Sequence, residues 1–157
     1  MSPKSKTSGR VYSGAVRQFA RPSARTIMVA EDDEDGRSMM QTLLKMKGYE
    51  VVEAENGLQA IEIALTNSPD LILLDLELPL LNGLAVTRNL RRHPQFKQVP
   101  IVVVSGHDPA KHSEAALDAG ASAYLVKPID FQRLDQILAG AVPLADVMPE
   151  LGRAKTA

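Results

Sequence analysis

Five polar side chains lie at the ends of apolar segments, and their types could together handle a phosphoryl group. Glu31 and Asp32 follow TIMVA, Asp75 ends LILLD, Ser105 ends IVVVS, and Lys127 follows AYLV. Carboxylates that crowd together repel one another, and each is driven toward protonation unless a cation lies among them. Mg²⁺ suits such a cluster because it binds one or two carboxylates and keeps positions open for phosphate oxygens.

Asp75 is the candidate nucleophile of this group. An aspartate beside a metal ion can attack phosphorus and become an aspartyl phosphate. Lys127 would offset charge on the phosphoryl oxygens, and the Ser105 hydroxyl could bind another of them. Taken singly, Asp75 could cap a turn, Ser105 could end a strand and Lys127 could be a surface charge. Their joint placement favours a phosphoryl-accepting site.

The apolar pattern predicts a scaffold that brings these residues together. Between residues 26 and 140, five short runs rich in Val, Ile and Leu alternate with five segments of helical period. This alternation predicts an α/β fold with a parallel sheet covered on both faces. Ligands bind beyond the carboxyl ends of the strands in such sheets. Four of the five predicted strands place a polar group there, whereas the second, which ends at 54–55, offers little.

Local signals predict where the helices begin and end. The first helix is expected over about 34–47 and stops before Gly48, a typical residue just past a helix C-terminus. Asn56, Asp108 and Asp130 are expected to cap the N-termini of later helices.

Two surface patterns are also predicted. Methionines and leucines form one apolar stripe on the first helix (Met39, Met40, Leu43, Leu44, Met46), and a basic cluster is interpreted as a solvated helix face, with contact to an acidic partner as the alternative (Arg88, Arg91, Arg92, Lys97).

Composition places the chain among ordinary single-domain proteins. It has 157 residues, of which 45% are hydrophobic and 24% charged, and no cysteine, which excludes disulfide and thiolate chemistry. Residues 1–25 hold six basic residues and no acid, whereas the rest carries 12 basic and 19 acidic residues, a formal charge of −7. We therefore predict a basic flexible arm over 1–25, a domain over 26–140 and a short tail over 141–157.

Membrane segments are not predicted from this sequence. No apolar run approaches the roughly 20 residues that span a bilayer, and the basic N-terminus lacks the apolar core of a signal peptide. A cytoplasmic location and no membrane partner are therefore expected. The basic arm could contact an acidic surface or nucleic acid, but nucleic acid is not favoured because the chain offers no helix that would read DNA.

Four ordered motifs resemble the receiver domain of two-component response regulators. They are VAEDDED with its acidic pair, LLDLELPLLNG with its acceptor aspartate, IVVVSGH with its hydroxyl residue, and AYLVKP with its Lys-Pro. The resemblance covers residues 26–140. It implies a flavodoxin-like (βα)5 doubly wound sandwich whose parallel strands lie in the order 2-1-3-4-5.

The resemblance also implies a role for each acid. Asp75 would be the phosphorylation site and a ligand of Mg²⁺, the implied cofactor. Asp32 would bind the ion directly, and Glu31 would act mostly through water. Glu77, two positions after the acceptor, would contribute its backbone carbonyl as a further ligand.

The remaining implied roles concern the phosphate and the response to it. Lys127 and Ser105 would contact the phosphoryl oxygens, with Lys127 presented by a cis peptide bond to Pro128. Ser105 and Tyr124 would form a switch in which the aromatic ring turns inward with the hydroxyl residue. Glu77 and His107 stand at variable positions flanking the phosphoryl group, and we hypothesise that Glu77 repels incoming phosphate or water.

The function implied is a phosphoacceptor response regulator in a two-component phosphorelay. Its partners would be a histidine kinase or histidine phosphotransfer protein, and a downstream target that contacts the face made by the fourth helix, fifth strand and fifth helix. With 17 residues after Gly140, no output domain is expected. The chain would catalyse only its own phosphorylation and dephosphorylation and so would not be an enzyme acting on a separate substrate. A homodimer is left open.

Two other functions remain as alternatives. The chain could be a receiver-like adaptor that binds partners without taking phosphate. It could also be a phosphohydrolase of the haloacid dehalogenase type, which uses an aspartyl phosphate with an acid two residues on, as at Asp75 and Glu77. The metal-binding acids of that family follow the nucleophile, whereas Glu31 and Asp32 precede it, so this second alternative is disfavoured.

Overall fold

A computed structural model describes residues 25–142 of the protein. Five strands and five helices alternate over this part of the chain. The strands are β1 Thr26–Ala30, β2 Glu50–Ala54, β3 Leu71–Asp75, β4 Ile101–Ser105 and β5 Ala123–Val126. The helices are α1 Glu34–Met46, α2 Gly57–Asn67, α3 Gly83–Arg91, α4 Pro109–Ala119 and α5 Phe131–Ala141, with a 3-10 turn at Pro94–Phe96. Nearly all of the predicted arm and of the predicted tail lie outside the described residues.

The five strands form one parallel sheet in the order β2-β1-β3-β4-β5. This order confirms the predicted doubly wound fold. The register keeps the strand ends level, because Ala30 lies opposite Leu74 and Asp75 lies opposite Val104. The residues that end β1, β3 and β4 are therefore neighbours across the sheet.

Helices cover both faces of the sheet. Alternate strand residues point to opposite faces, and one set packs against α1 and α5 in a core that includes Val29, Leu73, Val102, Leu44 and Leu134. The other set packs against α2 and α3, as Met28, Ile72, Ile101, Ala60 and Val86 show. A smaller cluster under α4 joins Val103 to Ala116. Two-sided burial explains why β1, β3 and β4 read as nearly continuous apolar runs.

Side-chain caps begin the helices where the sequence predicts them. The Asn56 side chain accepts a hydrogen bond from the Gln59 amide at 2.8 Å, and Asp130 does the same for Gln132 at 3.0 Å. Asp108 likewise caps α4. These bonds satisfy amide groups that the first turn of a helix leaves free.

The predicted apolar stripe on α1 is wrong in part. Met40 and Leu44 are buried, but Met39 is 55% exposed and Met46 is 80% exposed. At about 100° per residue, Met39 lies a quarter turn or more around the helix from Met40 and so falls outside the face that packs on the sheet. Five apolar positions on one helix span more of its circumference than the sheet covers.

The interpretation of Arg91 as part of a solvated basic face is also wrong. Its guanidinium is half-buried and donates hydrogen bonds to the backbone carbonyls of Gly120 (2.8 Å), Val99 (2.7 Å) and Phe96. Burial lowers the pKa of Arg91. The side chain therefore ties the end of α3 to the segments that precede β4 and β5.

Removal of the buried Tyr49 hydroxyl should lower the stability of the protein, because this group bonds to the residue that follows α5. The Tyr49 hydroxyl donates to the Val142 carbonyl at 2.9 Å in a buried setting. We expect Tyr49→Phe to lower the free energy of unfolding by about 1 kcal/mol, the usual loss for one hydrogen bond. Urea unfolding at pH 7 measures this loss, and an unchanged free energy of unfolding would contradict it.

The same tyrosine should also make stability depend on alkaline pH. Burial, followed by the negative charge of Asp135, raises the pKa of Tyr49 above its ordinary value of 10.0. The folded state then keeps a proton that the unfolded chain loses, so stability falls as pH rises above about 10. Tyr49→Phe should show a smaller alkaline loss than the native protein, and parallel pH curves would contradict this.

Candidate functional site

Polar side chains meet at the carboxyl edge of the sheet. Asp75 ends the central strand β3 and is only 7% exposed, and Ser105, the last residue of β4, is buried. Glu31 and Asp32 follow β1, and Lys127 follows β5. The parallel topology therefore brings the ends of four strands to one edge, as the sequence predicts.

Three acids form a tight cluster at this edge. Carboxylate oxygens of Glu31, Asp32 and Asp75 all lie within 4.8 Å of one another. Asp75 is buried, Glu31 is half-buried and Asp32 is exposed. Within residues 25–142, this is the group of acids and histidines whose geometry could hold a metal ion.

Lys127 lies between two of these acids. Its Nζ donates to Glu31 Oε1 at 2.8 Å and to Asp75 Oδ2 at 3.1 Å. Burial works to lower the pKa of Lys127, but the hydrogen bonds to Glu31 and Asp75 outweigh it, so this pKa lies above its ordinary value. The ammonium therefore stays charged and offsets part of the negative charge around Asp75.

The acids themselves still carry an electrostatic cost. Burial raises the pKa of Glu31, and the neighbouring Asp75 carboxyl raises it further, against the lowering effect of Lys127. One ammonium faces three carboxylates, so an additional cation would relieve the remaining repulsion.

Backbone geometry fixes Lys127 and Asp75 at the site. The predicted cis bond between Lys127 and Pro128 is present. The Lys127 amide donates to the Ser105 carbonyl at 2.8 Å, which joins the ends of β5 and β4. The other oxygen of Asp75, Oδ1, accepts a hydrogen bond from the Glu77 amide at 2.9 Å.

Two glycines allow the loop after β3 to pack closely. The Gly57 amide donates to the Pro79 carbonyl at 3.1 Å, and a Cβ at Gly57 would lie 1.8 Å from the Leu81 carbonyl oxygen. A Cβ at Gly83 would lie 2.5 Å from the Asp75 carbonyl oxygen. Within this loop, Leu80 has a positive φ of 70°. The start of α2 therefore supports the loop that carries Glu77.

The predicted switch residues are connected through His107. The Ser105 hydroxyl accepts from the His107 amide at 3.0 Å, and the Tyr124 hydroxyl donates to the His107 carbonyl at 3.3 Å. The His107 ring contacts the Glu77 carboxylate, with 2.5 Å between Nε2 and Oε2. Glu31, Asp32, Asp75 and Lys127 thus form one group, whereas Ser105, Tyr124 and the Glu77 side chain meet at His107.

Sequence reasoning missed the linking role of His107 and the whole role of Arg37. Arg37 forms an ion pair with Glu53 of β2, at 3.3 Å. The available signal was Glu53 itself, because a charged residue inside a predicted strand needs a partner when a helix covers it. For His107 the signal was its position two residues after Ser105, between two loops that the fold brings together.

A cavity of about 490 Å³ opens beside the acid cluster. Glu31, Asp75 and Lys127 line its polar side, and Met39 and Phe131 contribute to its apolar side. Both apolar residues are substantially exposed. The Asp75 carboxylate is therefore reachable from solvent in spite of its burial.

No helix of residues 25–142 has the length and apolar character that crossing a membrane requires.

The fold and the clustered strand-end residues define a receiver domain. The family model for the response regulator receiver domain matches residues 27–139, so this chain belongs to that family. It is similar to the polar-differentiation response regulator DivK of Brucella anthropi, with 33% identity over 109 residues that cover 69% of this chain and 89% of that protein.

Solved structures agree with this assignment. A putative response regulator from Chloroflexus aurantiacus superposes with a TM-score of 0.72 and 29% identity, covering 76% of this chain and 98% of that one. The receiver domain of the sensor histidine kinase PA1611 from Pseudomonas aeruginosa gives a TM-score of 0.70 and 30% identity, again over 76% and 98%. That domain was crystallised with a magnesium ion coordinated in its active site cleft.

A methyl group at Gly57 should disturb the loop that carries Glu77. We expect Gly57→Ala to destabilise the protein by about 1–3 kcal/mol, because the loop must move away from the new Cβ. Chemical denaturation measures the loss, and amide chemical shifts over 76–82 should change. Gly140→Ala in α5 is a matched control, since nothing lies within 4 Å of its added Cβ. Equal stability of the two variants would contradict the close packing.

Proposed function

We propose that this protein is a phosphoacceptor response regulator in which Asp75 receives a phosphoryl group with the help of Mg²⁺. The observation that carries the proposal is the buried Asp75 carboxylate, which has Lys127 Nζ at 3.1 Å and two further acids within 4.8 Å. The phosphoryl donor would be a histidine kinase or histidine phosphotransfer protein. The family assignment supports this class of partner.

The donor set fits Mg²⁺. Glu31, Asp32 and Asp75 offer carboxylate oxygens, which hard divalent ions prefer, and the cluster carries more negative charge than Lys127 offsets. Asp32 and Asp75 would hold the ion, Glu31 would act through water, and the Glu77 backbone carbonyl would be a further ligand. When bound, the ion would neutralise charge on the phosphoryl oxygens.

The side chains of this chain would divide the remaining work. An Asp75 oxygen forms a bond to phosphorus while the bond from phosphorus to the donor's imidazole nitrogen breaks, and the imidazole leaves with the electron pair. Lys127 is already hydrogen-bonded to Asp75, so its ammonium would stabilise the charge that develops on the phosphoryl oxygens. Ser105 would supply a hydroxyl donor to another oxygen.

His107 suggests how the modification would reach the surface. Ser105 would exchange its hydrogen bond from the His107 amide for a contact with the phosphoryl group, and Tyr124 is bonded to the carbonyl of the same histidine. A shift of this segment would move α4, β5 and α5 relative to one another. Leu117 and Val126 are exposed on these elements and suit contact with a downstream target protein.

The proposal includes the remaining expectations from the sequence. The chain would catalyse only its own phosphorylation and dephosphorylation and would not be an enzyme acting on a separate substrate. We place it in the cytoplasm, together with its phosphoryl donors. A phosphate-independent adaptor is the alternative function, because the same surface could bind a partner without modification.

The acceptor chemistry can be tested by intact mass. Incubation with Mg²⁺ and acetyl phosphate should add one phosphoryl mass to the native protein and none to Asp75→Ala. Asp118→Ala, which removes an exposed aspartate of α4, should still gain the mass. Omission of Mg²⁺ should abolish the gain.

Two outcomes would contradict this expectation. A folded native protein that gains no mass and leaves the donor intact would favour the phosphate-independent adaptor. Continuous turnover of the donor without any trapped adduct on Asp75 would favour a phosphohydrolase.

The Glu77 carboxylate should slow both reactions of the acceptor. It is exposed and lies beside the site, where it can repel phosphate and attacking water, and its pairing with His107 holds it there. We expect Glu77→Ala to raise the rates of phosphorylation and of phosphoryl loss several-fold, measured by timed mass spectrometry. Glu114→Ala, another exposed acid, is the matched control. Unchanged rates for Glu77→Ala would remove this role.

A further inference from the structure

Arg37 links three elements behind the acid cluster. It belongs to α1, and its side chain is only 12% exposed. Its Nη1 donates to the Glu31 backbone carbonyl at 2.9 Å, and its Nε lies 3.3 Å from Glu53 Oε1. Its Nη2 lies 4.0 Å from Glu55 Oε1. One guanidinium therefore connects α1 to the end of β1 and to the edge strand β2.

The partners of Arg37 are themselves held in place. Gln41 Nε2 donates to the second oxygen of Glu53 at 2.7 Å, so that carboxylate has a fixed orientation. The Glu31 amide donates to the Ala54 carbonyl at 3.0 Å, which extends the β1–β2 pairing by one residue. Arg37 is thus attached to a rigid strand and can hold a neighbouring peptide group in position.

The peptide that Arg37 holds is the one that leads into Asp32. The Glu31 amide bonds to β2, its side chain bonds to Lys127 and to the Asp33 amide, and its carbonyl bonds to Arg37. Asp33 in turn caps α1 through the Gly36 amide at 2.8 Å. With Arg37 in place, the described bonds fix the chain on both sides of Asp32.

We propose that Arg37 is a positioning residue for the cation site. It fixes the Glu31–Asp32 peptide, so that both carboxylates are oriented toward Asp75 before a divalent ion binds. This inference rests on the proposed function, because it assumes that the acid cluster binds Mg²⁺. Outer residues that orient metal ligands typically change metal affinity by about 10- to 100-fold when they are replaced.

The direction of the change in Mg²⁺ affinity distinguishes a positioning role of Arg37 from a purely electrostatic one. Removal of a cation near three carboxylates would by itself strengthen Mg²⁺ binding, since less positive charge would repel the ion. Loss of positioning would weaken binding. Arginine also differs from lysine here, because its planar fork donates to a carbonyl and a carboxylate at once, whereas an ammonium is a single point charge.

Mg²⁺ binding by the full-length protein, measured by calorimetric titration without a phosphodonor, tests the proposal. We expect Arg37→Gln to bind Mg²⁺ about tenfold more weakly than native protein. Arg37→Lys should recover part of the loss while remaining weaker than native at equal charge. Lys45→Gln removes an exposed cation from the same helix and should bind Mg²⁺ at least as tightly as native protein.

Unfolding in the presence of a chelator provides the structural control. If Arg37→Gln does not fold, Arg37→Lys decides, because it keeps the charge and tests the geometry alone. Native Mg²⁺ affinity in Arg37→Lys would overturn the inference, as would native or tighter affinity in a folded Arg37→Gln. Neither result would contradict the proposed function. Failure of the native protein to bind Mg²⁺ would overturn both.

Discussion

The buried carboxylate of Asp75 at the end of the central strand is the constraint on which the site depends. A charged group at the edge of a dry core is costly unless it has partners. Here the Glu77 amide bonds one oxygen and Lys127 bonds the other. Glu31 and Asp32 repel the Asp75 carboxylate. The site therefore combines two hydrogen-bond donors to Asp75 with an excess of negative charge. That excess of negative charge favours a cation at the cluster.

Rigid supports around the site come from contacts that are distant in sequence. Gly57 lets α2 approach the loop after β3, and Arg91 ties the end of α3 to carbonyls that precede β4 and β5. Arg37 ties α1 to the end of β1 and to β2. Gly57 supports the site by lacking a Cβ, whereas the two arginines do so by binding several oxygens with one planar guanidinium. The loops that carry the site residues are therefore held by the scaffold rather than by their own sequence.

The second group of site residues meets at His107 and has a different character. His107 lies in the loop after β4, and two of its partners are partly or fully exposed, namely Tyr124 and Glu77. Such contacts are weaker and easier to exchange than the contact between Lys127 and the buried Asp75. The proposed function needs both kinds of contact, because the acceptor would have to be fixed while the surface that responds to it would have to move.

Residue patterns by themselves determined the strands, the helix caps and the four strand ends that carry polar groups. These features depend on interactions within a few residues, such as the apolar period of LILLD or the Asn56 cap of α2. The strand order and the cis Lys127–Pro128 bond followed from the family resemblance. Only the tertiary structure decided that Met39 is exposed, that Arg91 binds carbonyls and that Arg37 reaches Glu53. Those outcomes depend on which segments the packed sheet brings into contact. The residues involved are far apart in the sequence, so a local periodic pattern cannot predict their contacts.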